Sequence, residues 1–298
     1  MILRAREHRL ELGGRPRLMG ILNATPDSFS DGSDAGLEER VDRGRALLAA
    51  GADLLDVGGE SARGDRPAVS SDEEISRVVP LISQLSGAVI SVDTYKPDVA
   101  AAAIEAGASI VNDVSGLRDV ELARVCARTG AALVIMHTRV APKGTLLDPG
   151  AYADVVDDVV SFLRERMEVA VSAGVAEEQI VLDPGPDFAK TPAQTVAVLR
   201  SLDALRALRR PLLLAVSRKD FLGAIVGRTP AERDPATLAA VGFAADVGAE
   251  IVRVHDVAGA ADYLAVRSVL RGERVLGDVE GLTPERYPDG VPPHISLG

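Results

Sequence analysis

The sequence has few of the residues that build disulfide frameworks or histidine metal centres. It contains one cysteine, Cys126, and four histidines among 298 residues. A single cysteine forms neither an intrachain disulfide nor a cysteine metal cluster, and four scattered histidines do not indicate a histidine-bound zinc ion. Because Cys126 falls in a predicted helix over residues 119–128, we interpret it as a small buried core residue.

The sequence also lacks long apolar runs and an excess of positive charge. No stretch of about 18 apolar residues occurs, and residues 1–9 are charged, unlike the apolar segment of a secretory signal. The formal net charge is −11 and the pI is about 4.9, which gives no electrostatic attraction to nucleic acid or anionic membranes. We therefore expect a cytoplasmic protein that binds small molecules, and neither nucleic acid nor membrane.

Several catalytic motifs are absent as well. The chain has no H-E-x-x-H, no P-loop, no G-x-S-x-G and no His-x-His in its first apolar run. The residues needed by a zinc protease, a P-loop kinase, a serine hydrolase or a binuclear amidohydrolase are therefore missing.

What the chain does contain is a regular alternation of short apolar runs and amphipathic segments. The runs predict strands over residues 18–22, 53–57, 89–92, 109–111, 132–136, 180–182, 212–216 and 250–254. Apolar residues spaced three and four apart predict helices over residues 37–50, 72–85, 97–106, 152–173, 193–208 and 234–247. Eight such units over roughly 250 residues predict an α/β protein, a (β/α)₈ TIM barrel.

An open, doubly wound sheet is the alternative fold, but its usual glycine-rich first turn is absent from residues 23–27. We expect residues 1–17 to form a β-hairpin that closes the bottom of the barrel, and residues 18–271 to form the barrel. Residues 272–298, rich in Gly, Pro and charge, are predicted to be an irregular tail.

Polar residues follow each predicted strand, at the barrel end where catalytic groups gather. They are Asn23, Asp56, Asp93, Asn112 with Asp113, His137, Asp183, residues 217–219, and Arg253 with His255. Oxygen-rich residues 23–32 include Asn23 and Asp31, which suit Mg²⁺. Carboxylates and an amide at the middle strands complement the N–H edge of a heterocycle, and the cations after the last two strands favour a phosphorylated substrate.

Together these motifs resemble dihydropteroate synthases, folate-biosynthesis enzymes that are targets of sulfonamides. The resemblance covers residues 18–270 and rests on residues 23–32, 56–61, 91–94, 112–113, 183–185, 217–219 and 253–255. It implies a pterin-binding transferase that condenses 6-hydroxymethyl-7,8-dihydropterin diphosphate with 4-aminobenzoate, giving 7,8-dihydropteroate and diphosphate. It also implies Mg²⁺ as cofactor and a homodimer.

The resemblance assigns roles to individual residues. The implied pterin ligands are Asp93, Asn112, Asp183 and Lys219. The implied diphosphate ligands are Asn23, Arg253 and His255, and Mg²⁺ is implied at Asn23 and Asp31. Phe188 and Lys219 are implied at the aminobenzoate pocket, and the implied catalytic residues are Asp93, Lys219, Arg253 and His255. The remaining implied substrate contacts are Thr25, Ser61, Ala62, Arg63, Met136 and Ser217.

Three residues depart from the family pattern. Ala62 replaces a threonine, Gly64 replaces a proline that stiffens the loop, and Asp187 replaces a small residue and adds negative charge near the aminobenzoate pocket. We expect the altered loop to change sulfonamide sensitivity. Two other functions stay open: a noncatalytic pterin-binding paralogue, and a barrel resembling the methyltetrahydrofolate domain of corrinoid methyltransferases.

Overall fold

The fold was analysed on a computed structural model, which describes residues 1–25, 34–60 and 68–277. The chain divides into two compact units, residues 1–264 and 265–298. The first unit contains the strands described below. The predicted division at residues 17/18 and 271/272 stays a prediction, because residues 278–298 lie outside the described part of the chain.

Two short strands precede the main sheet, and eight further strands build it within the described residues. The hairpin strands are β1 (Ile2–Ala5) and β2 (His8–Glu11), which pair antiparallel. The sheet strands are β3 (Arg17–Asn23), β4 (Leu54–Gly58), β5 (Ile90–Asp93), β6 (Ile110–Asp113), β7 (Ala132–Met136), β8 (Ile180–Asp183), β9 (Leu213–Leu214) and β10 (Ile251–Val254). All eight run parallel, in the order β8-β7-β6-β5-β4-β3-β10-β9.

One bridge joins the two ends of this order. Leu182 at the end of β8 pairs in parallel with Leu212, next to β9, and the Leu182 N–H donates to the Pro211 carbonyl at 2.9 Å. The sheet therefore closes on itself, and the predicted TIM barrel is confirmed. The β8–β9 junction is its thinnest seam, because β9 has only two residues.

Helices follow the strands and cover the outside of the barrel. They are α1 (Asp34–Ala49), α2 (Ser71–Gln84), α3 (Pro97–Glu105), α4 (Val120–Thr129), α5 (Val155–Ser172), α6 (Pro192–Arg200), α7 (Leu202–Arg206), α8 (Asp220–Val226), α9 (Asp234–Asp246) and α10 (Val257–Leu270). Local sequence sets several ends. Thr191 and Gln194 form a capping box at α6, and Gly130 ends α4 at a φ of 76°.

The hairpin closes the amino-terminal end of the barrel. Its buried Leu3, Ala5 and Leu12 pack in one cluster with inward-facing strand residues. Those strand residues are Met19, Leu54, Ile110, Ala132, Val134, Val181, Leu213, Ala215 and Ile251. The Arg6 N–H donates to the Gly130 carbonyl at 2.8 Å, which fixes the hairpin against the turn before β7. We call this apolar layer the floor.

Most predicted elements lie within a few residues of the observed ones, but two differ, and the helices α8 and α10 were not predicted. The predicted helix over 193–208 is interrupted at Ser201, where ψ is 25° and the helical bonding stops. The predicted strand over 212–216 is a strand only at Leu213–Leu214, which pair with β10, while the preceding Leu212 forms the bridge to Leu182.

Candidate active site

Four polar side chains meet above the floor in one buried cluster. The Arg253 guanidinium donates from Nε to Asp56 Oδ2 at 2.6 Å and from Nη2 to Asp93 Oδ2 at 2.9 Å. Asn112 Nδ2 donates to the same Asp56 oxygen at 3.1 Å. Arg253 bonds to both carboxylates, and Asn112 bonds to one of them. The cluster therefore joins strands β4, β5, β6 and β10.

Burial dominates the pKa of two carboxylates here, Asp93 in the cluster and the neighbouring Asp183. It raises the pKa of Asp93 to about 7, although the Arg253 guanidinium acts in the opposite direction. It also raises the pKa of Asp183 to about 6, against the Gly185 N–H and the Lys219 ammonium. A ligand that offers N–H donors or positive charge to these two carboxylates would relieve their desolvation.

These residues line a cavity of about 230 Å³ at the carboxyl ends of the strands. Nine predicted site residues meet there: Asp93, Asn112, Met136, Asp183, Phe188, Ser217, Lys219, Arg253 and His255. Ile21, Val114 and Ala215 complete the lining. An apolar wall with a few convergent polar groups is typical of a small-molecule site.

Lys219 and Phe188 form one side of the cavity. Lys219 Nζ lies 4.3 Å from the centroid of the Phe188 ring, a cation–π contact. Burial lowers the pKa of Lys219, while Asp187 and Asp183 favour its charged form. The neighbouring Arg218 points away from the cavity, because its guanidinium forms a two-bond ion pair with Asp234 at 2.7 and 2.9 Å.

His255 differs from its predicted role as a cation. Burial lowers its pKa to about 4, with Arg218 and Arg253 acting in the same direction, so the imidazole is neutral near pH 7. Ser217 Oγ accepts from the His255 backbone N–H at 3.2 Å and lies 2.9 Å from Nδ1. With the hydroxyl donating to Nδ1, the ring proton is on Nε2, where it is available to an anion as a hydrogen-bond donor.

The loop between β8 and α6 is stabilised by its own buried lysine, which was not among the predicted site residues. Lys190 Nζ lies 2.7 Å from His137 Nδ1 and donates to the carbonyls of Gly185 and Phe188 at 2.9 and 3.0 Å. His137 Nε2 lies 2.9 Å from Asp158 Oδ2. Burial lowers the pKa of Lys190 to about 7 and that of His137 to about 3. His137 is therefore a neutral hydrogen-bonded core residue that helps to fix the Phe188 loop.

A charged network borders the cavity on the β4–β5 side. Lys96 Nζ donates to Glu60 at 2.6 Å and to Glu74 at 2.7 Å, and Lys143 Nζ lies 3.0 Å from the other Glu60 oxygen. Glu60 lies two residues after the end of β4. The network therefore anchors the start of the loop that follows this strand. The four lysines of the chain thus all lie around the barrel mouth.

The other predicted site residues are not in the cavity lining. Asn23 ends β3 with an exposed side chain, and Thr25 follows it half-buried. Asp113 is turned into its own loop, where its carboxylate accepts from the N–H groups of Ser115 and Leu117. Asp31, Ser61, Ala62, Arg63 and Gly64 lie outside the described residues.

Sequence reasoning gave no role to Asp56 or Lys190. Asp56 carries the signal that identified Asp93, a carboxylate in an otherwise apolar strand. Its ion pair with Arg253 joins residues 197 positions apart, and such a pairing requires knowledge of the strand order. Lys190 follows Phe188 and Ala189 in a loop, and its near-complete burial has no signal in the sequence.

The site also allows a test of the expected Mg²⁺. Among the described residues, no group of three or more His, Cys, Asp or Glu side chains is placed to hold a metal ion. The exposed Asn23 amide offers one hard oxygen at the mouth. Mg²⁺ often takes only one or two protein ligands and keeps water and phosphate oxygens for the rest. The Asn23 amide oxygen therefore fits an Mg²⁺ ion whose other ligands are mainly water and diphosphate oxygens.

Comparison with known proteins defines the class to which this barrel belongs. The model of the family of pterin binding enzymes matches residues 19–255, which span every strand from β3 to β10. The chain belongs to this family.

Its relatives place it within the family. The chain is 44% identical over 245 residues to the dihydropteroate synthase of Bacillus subtilis (strain 168), covering 80% of this chain and 83% of that protein. The structure of Xanthomonas albilineans dihydropteroate synthase with 4-aminobenzoic acid aligns with a TM-score of 0.82 at 40% identity, over 91% of this chain and 99% of that one. The same enzyme in complex with 7,8-dihydropteroate aligns with a TM-score of 0.79 at 40% identity, over 90% and 98%. The chain stands among the dihydropteroate synthases.

No helix among residues 1–25, 34–60 and 68–277 is long and apolar enough to cross a membrane.

Proposed function

We propose that the protein condenses 6-hydroxymethyl-7,8-dihydropterin diphosphate with 4-aminobenzoate, releasing diphosphate and forming 7,8-dihydropteroate in folate biosynthesis. The observation that carries this proposal is the convergence of Asp93, Asn112, Asp183, Lys219 and Arg253 on one cavity. The similar enzyme from X. albilineans is known with 4-aminobenzoic acid and with 7,8-dihydropteroate.

The pterin fits the carboxylate side of the cavity. Its N–H donors complement the carboxylate of Asp183 and the amide oxygen of Asn112, whose nitrogen is already used by Asp56. Hydrogen bonds to charged carboxylates are the stronger kind, and they would stabilise the ionised forms that burial disfavours. Asp93 then lies beside the pterin as the acidic partner of Arg253.

The reaction breaks the bond between the pterin methylene carbon and the diphosphate oxygen, and forms a bond from that carbon to the amine nitrogen. Positive charge develops on the methylene as the bond breaks, and the nearby Asp93 carboxylate stabilises it. Arg253 and the neutral Nε2–H of His255 stabilise the departing anion. An aromatic amine attacks without prior deprotonation, so positioning dominates over base catalysis.

Mg²⁺ belongs to the proposal as a cofactor. Asn23 and Asp31 would hold it at the mouth, together with water and the diphosphate, and it would neutralise negative charge on the leaving group. Thr25, Ser61, Ala62 and Arg63 are proposed as further contacts of the substrates.

One assay tests the function. Purified protein, Mg²⁺, the pterin diphosphate and 4-aminobenzoate are combined, and diphosphate and dihydropteroate are measured, with EDTA-treated protein as the metal control. Equal amounts of both products are expected, with loss of activity in EDTA and recovery on adding Mg²⁺. Tight pterin binding without product formation would show a noncatalytic paralogue.

A homodimer and a cytoplasmic location complete the proposal. Ile225, Val226 and Phe243 are 66%, 41% and 37% exposed and border an apolar groove between α6, α8 and α9, a kind of surface that favours self-association. Sedimentation would show a dimer for the wild type and a shift to monomer for Ile225→Asp, whereas equal mass for both would exclude this surface.

We also propose sensitivity to sulfonamides, which inhibition constants before and after Gly64→Pro would measure.

A further inference from the structure

Asp187 makes contacts that the sequence did not predict. It lies in the loop between β8 and α6 with a φ of 65°, a left-handed conformation that Asp and Asn tolerate better than most residues. From the sequence, we expected its negative charge near the aminobenzoate pocket and predicted no partner for it. Instead, Oδ2 accepts from the backbone N–H groups of Asp220 and Phe221 at 2.6 and 3.2 Å, and Oδ1 accepts from Thr195 Oγ1 at 3.1 Å.

These bonds supply what the start of α8 lacks. The first N–H groups of a helix have no partner within it, and Lys219, which occupies the capping position of α8, provides no side-chain hydrogen bond to them. The Asp187 carboxylate takes that place from 33 residues earlier in the chain. It is fixed in turn, because Thr195 Oγ1 also accepts from the Asp187 N–H at 3.0 Å.

The two residues that face each other in the cavity are the immediate chain neighbours of this contact. Phe188 follows Asp187, and Lys219 precedes Asp220; Lys219 Nζ lies 4.3 Å from the Phe188 ring centroid. The loop and α8 follow β8 and β9, which are joined only by the bridge from Leu182 to Leu212. The Asp187 contact therefore fastens the two loops where the sheet beneath them is thinnest.

We propose that Asp187 is a positioning residue for the 4-aminobenzoate side of the site, tying the segment that carries Phe188 to the helix turn that carries Lys219. The effect on 4-aminobenzoate rests on the proposed function. The structural connection between the two segments does not depend on the proposed function, because it concerns only Asp187 and Lys219.

Charge adds to this tie. The charged groups that act most strongly on Lys219 are Asp183 on β8, Asp187 on the loop, Asp220 on α8 and Arg253 on β10, and Lys190 on the same loop as Asp187 also interacts with it. Asp187 is the strongest of the three carboxylates in favouring the charged form of Lys219. Its removal would lower the pKa of Lys219 further.

Two substitutions separate geometry from charge. Asp187→Asn keeps an acceptor oxygen and tolerates the positive φ, whereas Asp187→Gly keeps the backbone conformation and removes the acceptor. The control pair is Asp119→Asn and Asp119→Gly, because the Asp119 carboxylate caps α4 at Glu121 N–H, 2.9 Å, outside the cavity lining. Thermal unfolding of all four variants measures the structural cost of losing a cap.

Steady-state kinetics give the first readout. In Asp187→Gly we expect the KM for 4-aminobenzoate to rise about tenfold, as for the loss of charged hydrogen bonds, with the KM for the pterin diphosphate unchanged. Asp187→Asn should retain a near-normal KM at pH 7. The Asp119 pair should change unfolding temperature only. Equal increases in both KM values, or unchanged kinetics in Asp187→Gly, would overturn the proposal.

The second readout does not require turnover. With four lysines in the chain, the ε-carbon NMR signal of Lys219 can be assigned by comparison with Lys219→Arg and followed against pH. Both Asp187 variants should lower the pKa of Lys219, because they remove a negative charge beside it, and the Asp119 variants should not. A Lys219 pKa that stays at its wild-type value would contradict the tie, whereas wild-type protein that forms no dihydropteroate while showing this shift would contradict only the proposed function.

Discussion

The floor and the mouth of the barrel are built by the same strands but have opposite chemistry. On four strands, an apolar floor residue is followed two positions later by a polar residue of the site: Leu54 and Asp56, Ile110 and Asn112, Val181 and Asp183, Ile251 and Arg253. Residues two apart in a strand face the same side. Two residues along each strand thus separate a layer that stabilises the fold from a layer that binds substrate.

The energetic roles of the two layers follow from this chemistry. Floor side chains are buried among other apolar groups, and each Leu, Ile, Val or Met among them contributes about 1.5–3 kcal/mol of transfer free energy. In the mouth, buried carboxylates keep raised pKa values until a ligand arrives. The floor should therefore govern the free energy of unfolding, and the mouth should govern turnover.

The largest expected effect is at the mouth. Asp93→Ala and Lys219→Ala should each lower kcat/KM by about 10²–10³-fold, because each removes a charge that acts on the reacting groups. Cys126→Ala, in the outer face of the barrel, should leave kcat/KM near wild type. Comparable activity in all three variants, measured as dihydropteroate formation, would show that the assigned site is wrong.

The reverse experiment changes the floor. Leu3→Ala removes a fully buried side chain from the hairpin and should lower the free energy of unfolding by about 2–4 kcal/mol. Because Leu3 is not in the lining of the cavity, kcat and both KM values should stay unchanged at 25 °C. Urea denaturation and kinetics on the same preparation measure the two quantities, and a large change in kcat would show that the layers are coupled.

A substitution of Lys190 should change both the stability of the protein and its kinetics. Lys190→Met leaves the Gly185 and Phe188 carbonyls without their donor, at a cost of about 1–3 kcal/mol. We expect a lower unfolding temperature and a several-fold higher KM for 4-aminobenzoate, with the KM for pterin diphosphate nearly unchanged. A pure stability effect would place Lys190 with the floor.

The remaining prediction is a pH dependence. With an Asp93 pKa of about 7, the carboxylate is ionised above this pH and protonated below it. Since only the ionised form stabilises positive charge on the pterin, kcat/KM for the pterin diphosphate should fall roughly tenfold from pH 8 to pH 6. Asp93→Asn should lose the part of this dependence that Asp93 causes, while keeping any part due to Asp183, whose pKa is about 6, or to the substrate. An identical profile for both proteins would assign the titration to another group.

The same layering explains what the sequence could predict. Strands end where apolar runs meet polar residues, so the barrel and the seven polar residues of the cavity follow from the pattern, whereas Met136 and Phe188 were implied only by the family resemblance. Burial and hydrogen bonding are different properties, however: residues 212–216 are all buried, but only Leu213 and Leu214 belong to the ladder. The pairing of Asp56 with Arg253, the burial of Lys190 and the capping of α8 by Asp187 depend on contacts between distant segments, which periodicity does not encode.

The thin junction between β8 and β9 has a consequence for how the barrel opens. Amide hydrogens exchange with solvent when local bonds break, and the least bonded segments exchange first. The junction lies in the interior of the chain, whereas the strands nearest the two termini, β3 and β10, pair over four residues. Solvent should therefore enter the native barrel between Asp183 and Lys219, and deuterium uptake at Leu182 should precede uptake at Leu18.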